Sequence, residues 1–286
     1  MDEREAMRAA EMAEAACLEA MYAGATQSVS DELGMSHRRI GGGAVCLMAR
    51  DPLHGFWNRA IGLGVDEPLT EDVVDEVLEF AREGGAPLLV VPVAPGADPG
   101  TWEHVLASRG LSPSAAWVKF VAPGGFSAEE KTEFDVEQIG PEIGVHFARV
   151  MCEGFKMPLD SPLPDWFATI PGAPGMTAYA AFDRHHKIVA TAAMHVSGEL
   201  ASLCGAATLP EARHRGAQSA LMARRLHDAN ALGVRWIATE TGTETDEDPN
   251  PSLHNMRRLG LTELYERRNW IWRPEPRRQP RRQPRR

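Results

Sequence analysis

With 286 residues, 43% of them hydrophobic, and a formal net charge of −10, the chain has material for two compact domains and is neither compositionally disordered nor built to cross a membrane, because no apolar run reaches about 18 residues. The acidic, alanine-rich segment MDEREAMRAAEMAEAACLEA lacks the basic-then-apolar layout of a secretory signal, so a cytoplasmic location is expected. Cys17, Cys46, Cys152 and Cys204 lie far apart without CxxC spacing, which argues against a disulfide framework or a metal cluster and predicts reduced, mostly buried thiols.

In chain order, the Gly- and Pro-free stretch from Glu3 to Tyr22 predicts a helix. GGGAVCLMAR and FWNRAIGLG predict strands, TEDVVDEVLEFARE an amphipathic helix capped by Thr70 or Glu71, and APLLVVPV a buried strand. DPGTWEHVLASRGL predicts a short helix closed by Gly110, AAWVKFVAP a strand, and Pro123, Gly124 and Gly125 before SAEEKTEFD a linker. The pattern then begins again. DVEQI predicts a strand, PEIGVHFARVMCEGF a helix with Pro141 in its first turn, and SPLPDWFATIPGAPG an irregular segment. MTAYAAFD, KIVATAAMHVSG and ELASLCGAATL, separated by the turns RHH and Gly198-Glu199, predict an antiparallel meander. A helix from about Arg215 to Leu232 stops at Gly233; VRWIATE predicts a strand, SLHNMRRL a short helix ended by Gly260, and TELYERRNWIW a final strand. LASRGLSPSAAWVKF in the first half echoes MRRLGLTELYERRNWIW in the second, and the shared order of elements predicts a duplicated domain. Six of the 30 Lys and Arg lie in RRQPRRQPRR at 277–286, so residues 1–276 hold 24 against 40 Asp and Glu, a net −16. The regular prolines predict a disordered tail over 275–286, and the acidic body argues against a nucleic-acid-binding domain.

Within this acidic chain, EARHRGAQSAL sets Arg213, His214 and Arg215 directly before Gly216 and the start of a helix. A helix N-terminus offers unpaired N–H groups and the positive end of the macrodipole. Gly216 lets backbone approach an anion closely, and the arginines add charge suited to a diphosphate. A pyrophosphate site accounts for this arrangement; a solvated helix cap is the alternative. The string LPEARHRGAQSAL resembles the acetyl-CoA-binding signature of the GNAT (GCN5-related N-acetyltransferase) superfamily, in which a strand, a proline, an Arg/Gln-x-x-Gly-x-Gly/Ala loop and a helix follow one another. Gln218 stands where Gly or Ala is usual. PNPSLHNMRRLGL is similar to the superfamily segment in which an asparagine precedes a short helix ending in Gly-Phe; Asn250 and Ser252 match approximately, and Leu261 replaces the Phe. The resemblance covers Asp135 to Pro274. It implies a mixed α/β fold of α+β type, with two tandem GNAT-like domains, each a mixed, mostly antiparallel sheet flanked by helices. Residues 1–125 would form a degenerate N-terminal domain, 126–134 a linker and 135–274 the acetyltransferase domain. In the first half GLGVDEPLTED has no Arg-x-x-Gly loop, and its acids would repel a diphosphate.

The resemblance further implies direct transfer of an acetyl group from acetyl-CoA, as cosubstrate, to the amine of a small molecule such as a secondary metabolite or antibiotic-like amine. No metal, nucleic-acid or membrane partner is expected, and the chain would be a monomer or homodimer. The alternatives are a non-catalytic acyl-CoA-binding module and, disfavoured by the intact loop, an aminoacyl-tRNA-dependent ligase. Cosubstrate contacts then fall on Ala206, Ala207 and Thr208, on Arg213, His214, Arg215, Gly216, Ala217, Gln218 and Ser219, and on Asn250, Ser252 and Asn255. Backbone N–H groups around Ala206 to Thr208 would meet the charge developing on the thioester oxygen. Glu240 or His195 would act as base, against the plainer readings of a solvated strand-end carboxylate and a satisfied histidine. The superfamily tyrosine four residues before the helix-ending glycine is here Met256, leaving Tyr265 and Asn255 as the nearest polar substitutes, although Tyr265 also fits a packing role. Trp166, Phe167 and Met157 are expected to wall the acceptor pocket or to pack in the core. Cys204 near the thioester raises an acyl-cysteine route; with no histidine placed to activate it, direct transfer is expected.

Overall fold

The computed structural model describes residues 2–97, 102–129 and 131–275; of the tail expected to be disordered, only Glu275 falls within them. Asp2 starts the first helix, α1 (Glu3–Ala23), by accepting from the N–H groups of Arg4 and Glu5. Alanines 6, 9, 10 and 13 let this helix lie close against Val121, Trp236 and Ala238 of the sheet. After α2 (Gln27–Leu33) come β1 (Met35–Ile40), β2 (Gly43–Met48), β3 (Arg59–Ile61), α3 (Glu71–Glu83), β4 (Leu89–Pro92), α4 (Trp102–Ser108) and β5 (Ser112–Pro123). The second half holds β6 (Asp135–Ile139), α5 (Gly144–Phe155), α6 (Leu163–Phe167), β7 (Met176–Phe182), β8 (Ile188–Ser197), β9 (Leu200–Thr208), α7 (Ala217–Ala231), β10 (Trp236–Gly242), α8 (Pro251–Arg258) and β11 (Thr262–Trp272).

The expected meander forms, with β6 added to its edge, and among the described residues eleven strands join one mixed sheet in the order β1-β2-β3-β4-β11-β5-β10-β9-β8-β7-β6. This order reveals an exchange. β5 follows β4 in sequence but pairs with β10, from Trp236↔Pro123 to Gly242↔Trp117, while β11 follows β10 but pairs with β4, from Asn269↔Pro92 to Trp272↔Leu89. β5 and β11 also pair with each other, so each half completes the other's sheet. Strand alternation divides the core between the two faces. Ala44, Cys46 and Met48 of β2 pack with α1, and Val45 and Leu47 with α3. In the second half α5 and α6 share the face of α1, and α7 and α8 cover a separate cluster.

Three elements were not expected from sequence. QSVSDEL forms α2 between the Thr26 cap and left-handed Gly34, MSHRRI forms the edge strand β1, and LPDWF folds into α6 within the segment read as irregular. These are short elements whose burial is set by distant neighbours rather than by their own periodicity. Conversely, only Arg59–Ile61 of FWNRAIGLG is strand, and Pro141–Ile143 is a 3₁₀ turn before α5.

Candidate active site

β9 and β10 are parallel neighbours, yet their ladder runs only from Trp236↔Leu200 to Ala238↔Ser202. Beyond it they diverge, leaving the β10-facing edge of residues 204–208 without a strand partner. Gly205 (φ +59) and a register shift on the β8 side bend β9 at this point. A Cβ on Gly205 would stand 2.9 Å from Cε of Met151. Arg225 of α7 is buried beneath the bend and donates to the carbonyls of Ala193 (3.0 Å), Cys204 (3.2 Å) and Leu221 (3.1 Å). Burial lowers its guanidinium pKa to about 10.

A cleft of about 540 Å³ starts at this split and is lined by Ala206, Ala207, Thr208, Arg213, His214, Gly216, Ala217, Gln218, Ser219, Ser252 and Asn255, with Gly154, Phe155 and Arg258 among its other walls. Gly216 (φ +82) leads into α7, and among the described residues no side chain accepts from the helix's first-turn N–H groups. His214 is also left-handed (φ 60), so the loop forms a concave run of donors open to an anion. The corresponding start of α3 is closed: Thr70 Oγ1 accepts from the Val73 N–H at 3.3 Å, and Glu71 and Asp72 occupy the first turn. Gln218 leaves the loop clear because its side chain reaches α8, donating to Ser252 Oγ and accepting from Asn255 Nδ2, each at 2.7 Å. Arg213 is exposed and donates to the carbonyls of Thr208 (3.3 Å) and Gly154 (3.1 Å).

A second cavity, about 280 Å³, meets the cleft at Phe155, Ala206, Gln218 and Ser252, which line both. Helical spacing brings Ala10, Glu14, Cys17, Leu18 and Met21 of α1 to one wall. Phe56, Trp57, Trp117, Met151, Met157 and Phe167 form apolar walls, and Glu14, Arg59, Lys119 and Glu240 supply charge. Arg267, with no exposed surface, ties the charges together through Glu11 Oε2 (2.6 Å), Glu14 Oε2 (2.8 Å) and Glu240 Oε2 (2.6 Å). Lys119 donates to Glu14 and lies 3.1 Å from Glu240. Burial and the neighbouring Glu14 charge raise the Glu240 pKa above the ordinary carboxylate range. Burial opposes ionisation of Glu14 too, but Arg267, Lys119 and Arg59 outweigh it and hold that carboxyl well below the usual range. Cys17 Sγ lies 3.4 Å from Cys204 Sγ in the same wall. Their contact, with Arg225 nearby, lowers the Cys204 pKa, whereas the contact and burial raise that of Cys17.

Four residues expected at the site line neither cavity. His195 is buried on β8 opposite Met176, where burial lowers its pKa. Tyr265 donates to Glu11 Oε1 at 2.8 Å, behind the charged floor; burial and Glu11 raise its pKa. Arg215 turns outward to Glu133 (2.6 Å) and over the Phe134 ring. Asn250 caps α8, accepting from the N–H groups of Ser252 and Leu253 and donating to Thr241 Oγ1 and the Gly242 carbonyl. Of the expected acceptor walls, Phe167 and Met157 reach the cavity, while Trp166 stacks behind Phe167 and donates to the Met21 carbonyl. Sequence reasoning missed Glu11, Glu14, Arg59, Lys119 and Arg267. The available signals were Lys119 inside the apolar AAWVKFVAP and two acids within the alanine stripe of α1.

Among the described residues no group of three or more His, Cys, Asp and Glu is arranged to hold a metal, and no helix is long and apolar enough to cross a membrane. No protein-family model and no curated protein matches the sequence. Solved structures do match. A GCN5-related N-acetyltransferase from Kribbella flavida aligns over 92% of this chain and 95% of its own, with TM-score 0.60 and 17% identity. A tandem GNAT protein from the clavulanic acid biosynthesis pathway aligns over 83% and 82%, with TM-score 0.55 and 17% identity. A GCN5-related N-acetyltransferase from Sphaerobacter thermophilus aligns over 71% and 67%, with TM-score 0.55 and 14% identity. At these identities the likeness is one of fold, and the chain has the GNAT fold in its tandem arrangement.

Proposed function

We propose that the chain is an N-acetyltransferase in which residues 135–274 bind acetyl-CoA and residues 1–125, a degenerate copy, help to enclose the acceptor amine. The supporting observation is the junction at Ala206, Gln218 and Ser252, where a cleft ending on an uncapped helix runs into a cavity holding two carboxylates. The cleft residues fit acetyl-CoA: first-turn N–H groups of α7 receive its diphosphate, Arg213 and His214 flank it, and the free edge of β9 lies along the pantetheine. Acetyl-CoA supplies an activated acetyl thioester. Backbone N–H groups of residues 206–208 then stabilise the negative charge growing on the acyl oxygen, Glu240 takes the amine proton, and Ser252 Oγ protonates the departing sulfur.

Calorimetry with acetyl-CoA, with free CoA as control, followed by thiol-release assays across an amine library, tests the reading. Binding with release supports it; binding without release across the library supports the acyl-CoA-binding module, and no binding contradicts both. The base must be ionised to work, so kcat/KM is expected to fall as pH drops through a value above the ordinary glutamate range, about 4.3, and Glu240→Gln is expected to lower kcat about 100-fold or more and remove that acid limb while acetyl-CoA still binds. Cys204→Ser is expected to retain turnover within about threefold, since direct transfer needs no thiol nucleophile and this exchange changes little volume. Loss of turnover together with a trapped acyl-Cys204 in the unmodified protein would establish the covalent route instead.

A further inference from the structure

Three cations and three carboxylates meet at the floor of the second cavity: Arg59, Lys119 and Arg267 with Glu11, Glu14 and Glu240. Two of the cations are hydrogen-bonded within the cluster. Arg59 is different. Its side chain is 9% exposed and lines the cavity, with the guanidinium 5.4 Å from the Phe56 ring and 5.0 Å from the Trp117 ring. Nη1 stands 3.5 Å from Glu240 and 3.7 Å from Glu14, but no hydrogen bond joins them, and Nε is buried without a partner. A guanidinium carries five donors in a planar fork, and leaving them unused in a buried setting is costly unless an acceptor arrives. The aromatic rings hold this fork in place at the cavity wall, within reach of the carboxylate assigned as base.

We propose that the acceptor is an α-amino acid with an apolar side chain, its carboxylate received by Arg59 and its amine directed to Glu240. The proposal rests on the acetyl-transfer reading of the same cavity and names its substrate class. Formal charges in the six-membered cluster balance, and Arg225, which also lines the cavity and spends its donors on the Ala193, Cys204 and Leu221 carbonyls, adds one positive charge. An ammonium ion alone would enlarge that excess in a setting that penalises unpaired charge, whereas a zwitterion, whose ammonium brings its own carboxylate, does not. Its side chain is matched by Trp57, Trp117, Met21 and Phe167, and the cavity volume of about 280 Å³ suits a molecule of amino-acid size. The ammonium loses one proton to Glu240, and its nitrogen lone pair forms the new C–N bond as the C–S bond breaks. The second nitrogen proton replaces the one that Ser252 Oγ gives to the sulfur, yielding an N-acetyl amino acid and free CoA, and Glu240 returns its proton to solvent.

L-Phenylalanine and phenethylamine differ only in the carboxylate and form the test pair. Each is titrated into the wild-type protein by calorimetry, and each is assayed for thiol release with acetyl-CoA. The expected result is tighter binding of L-phenylalanine and a kcat/KM at least about 10-fold higher than that of phenethylamine, as a charge-assisted bidentate contact supplies. Arg59→Met is expected to bring the ratio of the two values toward one. Equal binding and rates for the pair in the wild type, or failure of both L-phenylalanine and L-leucine to bind a protein that binds acetyl-CoA, would overturn the inference alone. Amino-acid binding without acetyl-CoA binding would overturn the acetyl-transfer reading and leave the amino-acid pocket standing.

Discussion

Gly216→Glu is expected to weaken acetyl-CoA binding by at least about 100-fold, because a fixed carboxylate at the helix start competes with the diphosphate for the same N–H groups. Gly216 has φ +82, and a Cβ there would stand 3.0 Å from the Lys131 carbonyl oxygen, so the substitution also strains the loop. The strain, about 1–2 kcal/mol, is offset in part by the capping carboxylate, and the thermal midpoint is expected to move by only a few degrees. Gly216→Ala separates the two effects: it carries the strain without the charge and should lose much less affinity. Calorimetry on both variants checks the prediction. Equal losses in Ala and Glu would mean that loop shape, rather than competition for an anion seat, governs binding.

Arg267→Met is expected to destabilise the protein by about 3–5 kcal/mol, the usual effect of removing one partner from a buried ionic cluster. Glu11, 1% exposed, would retain only the Tyr265 hydroxyl among its hydrogen-bond partners in the cluster, and Glu14 and Glu240 would each lose a close cation. A fall in thermal midpoint of about 10 °C follows for a chain of this size. Adding Glu11→Gln should recover part of the loss by removing the stranded charge, whereas a merely steric role for Arg267 predicts no recovery. Acid unfolding gives a second check. The folded pKa of Glu14 is depressed, so its contribution is complete above the unfolded pKa and is lost as pH falls through the folded value, well below 4.5. In Arg267→Met that loss should move upward toward the ordinary range.

The cleft between β9 and α7 was legible in the sequence because its parts are local. A strand, a loop and a helix start follow one another within LCGAATLPEARHRGAQS, and backbone groups do much of the work, so Gly216 and the N-terminus of α7 suffice to mark it. Gln218 and Asn255, expected at the cosubstrate site from position alone, both line this cleft, and their side chains bridge α7 and α8 there. The second cavity was not legible, because it is assembled across the exchange of β5 and β11. That exchange brings Lys119 and Arg267 beside Glu240, and α1 adds Glu11 and Glu14, which lie 256 and 253 residues from Arg267 and, for Glu14, 105 from Lys119. Tyr265 illustrates the limit: its spacing from the helix-ending glycine said nothing about the partner strand, and on β11 its hydroxyl meets Glu11 behind the floor. Arg215 and Asn250, expected in the cleft, line neither cavity for a local reason, since Glu133 and the open end of α8 claim their polar groups.

The most direct measurement is a crystal structure of the protein with acetyl-CoA. The diphosphate is expected within hydrogen-bond distance of the Ala217, Gln218 and Ser219 N–H groups, and the acetyl group at the junction of Ala206 and Ser252, facing Glu240. Acetyl-CoA bound elsewhere, at the start of α3 or on the sheet's other face, or no binding at crystallisation concentrations, would contradict this placement.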